Sequence, residues 1–189
     1  MCRRGSTTVV FAALGAGSAT IVAPWLESAA AATEDDLAFA NFGAATELLV
    51  EDFYARALQA ELLAHPRIVV LKRGRVAATR HAKALSELLA SAGDVPPDPE
   101  DFEFDRPSRT FRSEKAMVVT GVDVLRALRG VYQTAAATAS EPTCRVLYVS
   151  LAASVSQQIV GLGGAGSAEP FPVALDIESA SDAIERCLG

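Results

Sequence analysis

The chain has 189 residues, half of them hydrophobic and 6% aromatic, with 17 Lys and Arg against 23 Asp and Glu. That length fits one domain able to bury a core without disulfide staples. The apolar content excludes intrinsic disorder, and a net charge of −6 excludes a nucleic-acid polyanion as the main partner. Many alanines and few aromatics favour close-packed helices over a β-sandwich, so the expected class is all-α.

Residues 1–32 read as an address. Arg3 and Arg4 precede an uncharged run from Gly5 to Leu26, followed by Glu27 and the string Ser28-Ala29-Ala30-Ala31-Ala32. A charged start, an apolar middle and an Ala-x-Ala end make a secretory signal peptide. The paired arginines resemble a twin-arginine signal. The expectation is an exported protein, periplasmic or extracellular, with no membrane contact unless the segment stays uncleaved. A membrane anchor or a thylakoid-lumen address is the alternative. Export would leave Cys144 and Cys187, and a bridge between them is reachable if the chain's tail folds back along its own helices. The other reading is two unpaired thiols.

The rest of the chain reads as a domain over 33–166 and a tail over 167–189. A first helix is expected over 34–64, capped by Asp35 or Asp36, with Phe39, Phe42, Leu49, Phe53 and Leu58 at near-helical spacing. His65-Pro66 breaks it. A second helix over 66–91 carries an inner stripe with Ala77, Ala78, His81 and Leu85, and Gly93 ends it. Its Lys72 to Arg80 basic face reads as a solvated face or as a dock for a partner's acids. Residues 94–111 cannot be helical throughout, because Val95-Pro96-Pro97-Asp98-Pro99 forbids it. They form an acidic connector whose Phe102 and Phe104 pack across an end of the helices. A third helix is expected over 113–140 with Ser113 as cap, a fourth over 143–162, and a short final one from Ser179 to Leu188 after Phe171-Pro172-Val173. Four helices with one long second-to-third crossover fit a four-helix bundle.

One constellation carries chemistry. Glu47 and Tyr54 are seven residues apart and share a helix face. A glutamate facing a core is costly unless paired or metal-bound. His81 sits on the inner stripe of the next helix. Together they are a candidate remnant of a metal site, or two members of a neutral polar network.

The run Asn41-Phe42-Gly43-Ala44-Ala45-Thr46-Glu47-Leu48-Leu49-Val50-Glu51-Asp52-Phe53-Tyr54 is similar to the helix-one signature of ferritin-like proteins. The resemblance is to the exported bacterial group related to plant desiccation-associated proteins. His81, Ala84-Leu85, the Ala92-Gly93-Asp94-Val95-Pro96 turn and Phe171-Pro172 extend it over nearly all of the exported chain. It implies a ferritin-like four-helix bundle with a di-metal site, built from one carboxylate on each of two helices and Glu-x-x-His on each of the others. Glu47 and His81 match that pattern. Ala78 stands at one glutamate position and Ala127 or a neighbour at another, and the fourth helix reads Ser154-Val155-Ser156-Gln157 where Glu-x-x-His would stand. The expectation is therefore a non-catalytic structural or binding protein without a cofactor. Ser154, Ser156, Gln157 and Gln158 are expected to hydrogen-bond Glu47 or His81, with a protein partner or a second copy as the ligand. The alternative is an iron- or manganese-binding oxidoreductase or iron-handling protein. No phosphate loop or nucleophile elbow points elsewhere.

Overall fold

The computed structural model describes residues 32–102, 109–164 and 173–188. The expected signal segment, Phe104 and Phe171-Pro172 lie outside the described residues, apart from Ala32. Five α-helices and one 3-10 turn make up the regular structure: α1 Glu34–Gln59, α2 His65–Ser91, the 3-10 turn Pro99–Asp101, α3 Glu114–Thr138, α4 Pro142–Gly161 and α5 Ile177–Leu188. No strand occurs among the described residues. The all-α expectation agrees with this.

Local chemistry sets the helix ends. The N-cap of α1 is Thr33, not Asp35 or Asp36. Its hydroxyl accepts the Asp36 N–H at 3.3 Å, while an Asp36 carboxylate oxygen accepts the Thr33 N–H at 3.1 Å. This reciprocal capping box satisfies two donors that the first helical turn leaves free. At its other end α1 stops at Gln59, five residues before the expected Ala64, and Glu61 takes a left-handed conformation with φ 54°. No side chain caps α2. Instead Glu114 of α3 accepts the Ala64 N–H at 2.9 Å and pairs with Arg67 at 2.8 Å, tying the starts of α2 and α3 together. Ser113 caps α3 by accepting from the Ala116 N–H at 3.2 Å. Asp176 caps α5 through the Ser179 N–H at 2.7 Å, which starts that helix two residues before the expected Ser179.

Helix α1 packs on α2 and α3, α4 packs on α3 and α2, and α5 lies on α3. The shared interior holds Leu49, Phe53, Leu71, Leu85, Leu125 and Ile159, all buried. Fully burying a side chain such as Leu85 contributes roughly 2 kcal/mol. Ala40, Ala44, Ala57, Ala78 and Ala135 are buried as well, so the alanine richness serves close helix approach. Glycine serves it further at two places. A Cβ at Gly43 would lie 2.9 Å from the Tyr132 ring, and one at Gly74 would lie 2.7 Å from the Tyr54 ring.

Of the two readings of Cys144 and Cys187, the structure agrees with the unpaired one: both thiols are free. The Leu175 N–H donates to the Gly130 carbonyl at 3.1 Å, and α5 then runs antiparallel to α3. That course carries Cys187 to the neighbourhood of Asp123. Cys144 sits near Asp36, whose carboxylate accepts the Ser140 N–H just past the far end of α3. Asp123 and Ala139 are separated by about 24 Å of helix, far beyond the roughly 7 Å that a disulfide allows between Cα atoms.

Candidate functional site

The interior is polar at its centre. Glu47, on the inward face of α1, has 0% exposure. Its Oε1 accepts a hydrogen bond from the Tyr132 hydroxyl of α3 at 3.1 Å. The same oxygen lies 2.9 Å from Nδ1 of His81 on α2, whose side chain is 13% exposed. Three helices thus meet on one oxygen atom. Its neighbour Oε2 is buried without a hydrogen-bond partner among the described residues.

Two turns along α1 a second pair continues the line. The Tyr54 hydroxyl donates to Oε1 of Gln158 on α4 at 2.7 Å. The Gln158 amide nitrogen is buried without a partner among the described residues. Gly74 is what makes room for it, since any side chain there would meet both the Tyr54 ring and Gln158 Oε1. Beyond Glu47 in the other direction, Tyr132 stacks on Tyr148 with ring centroids 6.3 Å apart, and the Tyr148 hydroxyl donates to the Asp36 carbonyl. A polar line from α1, α2, α3 and α4 therefore runs through an otherwise apolar core.

The electrostatics follow from burial. Loss of water pushes the Glu47 carboxyl above its ordinary range, and the His81 and Tyr132 hydrogen bonds pull it part of the way back. Burial likewise raises the Tyr132 hydroxyl well above the usual phenol value, and the Glu47 charge adds to it. Tyr54 is raised by burial first and by Glu47 second. The Glu47–His81 contact has two chemical forms. Either an ionised Glu47 accepts from an N–H at Nδ1, or a protonated Glu47 donates to an unprotonated Nδ1. One proton lies in the bond in both cases.

The structure brings Glu47 and His81 together as the sequence suggested, but by a different supporting cast. Ser154, Ser156, Gln157 and Gln158 were expected to hydrogen-bond them. Ser156 instead donates to the Ala152 carbonyl at 2.8 Å, Gln157 is exposed, and Gln158 serves Tyr54. Tyr132 takes the role. Ala78 and Ala127 are buried, so methyl groups occupy the positions where the resemblance implies glutamates. No group of three His, Cys, Asp or Glu side chains converges among the described residues.

The thiols lie apart from this line. Burial, with Asp36 and Glu141 nearby, pushes Cys144 up to about 11, so it is a poor nucleophile at neutral pH. Burial, with Asp123 nearby, raises Cys187 as well. One concavity of about 740 Å³ lies on the outer side of α1, lined by Leu37, Asn41, Phe42, Phe102 and Ile177. It is apolar apart from Glu34, Asn41 and Asp94 at its edge, and none of the polar line opens into it. No protein-family model, no curated protein and no solved structure matches this chain.

Proposed function

We propose that the chain is an exported, ferritin-like four-helix domain that binds rather than catalyses. A hydrogen-bonded polar line stands where a di-metal centre would lie. The observation that carries this reading is the Glu47 carboxylate: one oxygen is shared by His81 and Tyr132, from two other helices, at 2.9 and 3.1 Å.

Iron or manganese in a two-ion site needs bridging carboxylates to balance its charge. The residues here do not fit that need. Glu47 is one carboxylate, His81 is one nitrogen donor already spent on it, and Ala78 and Ala127 offer nothing. The alternative of a metal-binding oxidoreductase or iron-handling protein draws on one feature, the unpartnered Oε2 of Glu47. In the favoured reading the line fixes which helices pack together, and the outer surfaces do the binding.

Elemental analysis separates the two. The purified protein, equilibrated aerobically with ferrous iron or with manganese and then desalted, is expected to hold well under two ions per chain. Two ions per chain, lost in Glu47→Ala, would overturn the proposal.

A further inference from the structure

Helix α2 has two unlike faces. Inward it buries Leu71, Gly74, Ala78, Ala82, Leu85 and Leu89. Outward, Val69, Arg73, Val76, Arg80 and Lys83 follow one another at steps of four, three, four and three, a single stripe along four turns. All five are exposed, as is Lys72 beside them. Lys72, Arg73 and Arg80 have no ion-pair partner among the described residues. Lys83 pairs with Glu87 across 3.7 Å, and Glu87 is the one carboxylate on this helix. The basic face occurs in a chain of net charge −6.

From Val146 onward the neighbouring α4 carries no charge on its outward face, where Ser150 and Gln157 are the exposed polar positions among valines. Its outward positions Val146, Val149, Ala153 and Val160 are exposed, with the valines at 53%, 55% and 57%. No charged residue occurs from Val146 to Ala168. Ser150, on the same face, turns its hydroxyl back to the Val146 carbonyl at 2.8 Å and so presents little polarity. Of the nine large hydrophobics left exposed among the described residues, five (Val69, Val76, Val146, Val149 and Val160) belong to α2 and α4. A Cβ at Gly161 of α4 would lie 2.9 Å from Val70 of α2, so the two helices touch at that end.

We propose that the outer face of α2 and α4 docks on an anionic lipid surface, α2 supplying cations and α4 an uncharged valine face. Charge complementarity selects this partner. Uncompensated cations favour an anionic surface, and exposed valines alongside them favour one with an apolar layer beneath its charge. A second copy brought onto the same face would set cations against cations. An acidic peptide on the α2 stripe would leave the α4 valines uncovered. The contact is peripheral, since no helix among the described residues is long and apolar enough to cross a membrane. The proposal stands apart from metal uptake in the core, and its test does not depend on it.

The test is co-sedimentation of the full-length chain with phosphatidylglycerol vesicles and with phosphatidylcholine vesicles. The apolar segment 5–26 is common to all variants, so the readout is the ratio of anionic to neutral binding. The expected result is a large ratio at low salt that falls steeply as salt is added. Lys72→Gln with Arg73→Gln and Arg80→Gln should cut anionic binding on the order of a hundredfold, at roughly fivefold per cation, with helicity unchanged. Val146→Asn with Val149→Asn and Val160→Asn should weaken binding while leaving its salt dependence in place. A ratio near one, or a triple-cation variant that binds like the parent, would overturn the proposal. So would unchanged binding of the valine variant, or binding to polyglutamate with none to vesicles, which would assign an acidic protein instead.

Discussion

Helix α1 buries two carboxylates, and they are held by different means. Asp36, 2% exposed, lies in the first turn. Thr33 supplies a backbone N–H at 3.1 Å and a hydroxyl at 3.0 Å to one of its oxygens, and the Ser140 N–H reaches the other at 3.3 Å. Glu47, three turns on, has no free backbone N–H within reach, because the helix has consumed them all. It depends on side chains from α2 and α3, and one oxygen is left with none. A helix start is a ready-made anion site, with unpaired donors and a favourable dipole. A helix middle is not, and a buried acid there survives only through tertiary partners. Asp36 is thus built largely by local sequence, and Glu47 by the fold.

The contrast is sharpest when the partner of Glu47 is removed. His81→Ala should lower the unfolding free energy by about 2–3 kcal/mol at pH 7, because the buried Glu47 carboxyl loses a hydrogen-bond partner. Urea unfolding measures this. A loss below about 1 kcal/mol would mean that His81 is not what holds Glu47. Asp36→Ala should cost less, about 1–2 kcal/mol, as the loss of a cap and its hydrogen bonds. Thr33→Ala in the same chain should then add little, since both residues serve one box.

Glu47→Gln probes the charge itself. The folded-state carboxyl is raised above its ordinary 4.5 by burial, so the folded chain holds the proton more tightly than the unfolded one. Its contribution to stability is therefore fully present below the unfolded value near 4.5 and is lost as pH rises through the raised folded value. Glutamine carries no such proton. Stability measured against pH should fall less steeply in the variant, which gains on the parent as pH rises above 4.5. Parallel curves would place the titration elsewhere. The smallest effect belongs at the opposite end of α1. Glu61→Gly should stabilise by about 0.5 kcal/mol, because glycine adopts the left-handed conformation without the steric cost that glutamate bears there, offset by its greater freedom when unfolded.

Much of the architecture was legible because its signals are local. Pro66, Gly93, Ser113 and Pro142 mark helix ends within a residue or two of where they fall. The early end of α1 was not legible, since nothing between Gln59 and Pro66 is a breaker and the left-handed turn falls on Glu61 with no glycine to announce it. In the polar line, Glu47 and His81 stood out because a charged or titratable group on an apolar stripe needs a reason. Tyr132 did not, since a tyrosine on such a stripe fits as well as a phenylalanine and its hydroxyl leaves no periodic trace. Tyr54 and Gln158 are 104 residues apart, and no spacing rule joins them. The cysteine bridge failed for a related reason. Chain length permitted the closure, but the antiparallel course of α5 along α3 set the direction in which that length was spent.

The three tyrosines of this chain, Tyr54, Tyr132 and Tyr148, are all buried, and each hydroxyl donates to a different acceptor. The single tryptophan, Trp25, falls in the segment read as a signal. A chain cut after that segment emits only tyrosine light, and every photon comes from a helix seam. Tyr54 reports the contact between α1 and α4, Tyr132 that between α1 and α3, and Tyr148 the junction of α4 with the start of α1. Among them Tyr132 alone donates to a carboxyl group, so its emission is the one expected to respond to the state of Glu47. A change in tyrosine emission on breaking the Glu47 contact would report on that seam without an added label.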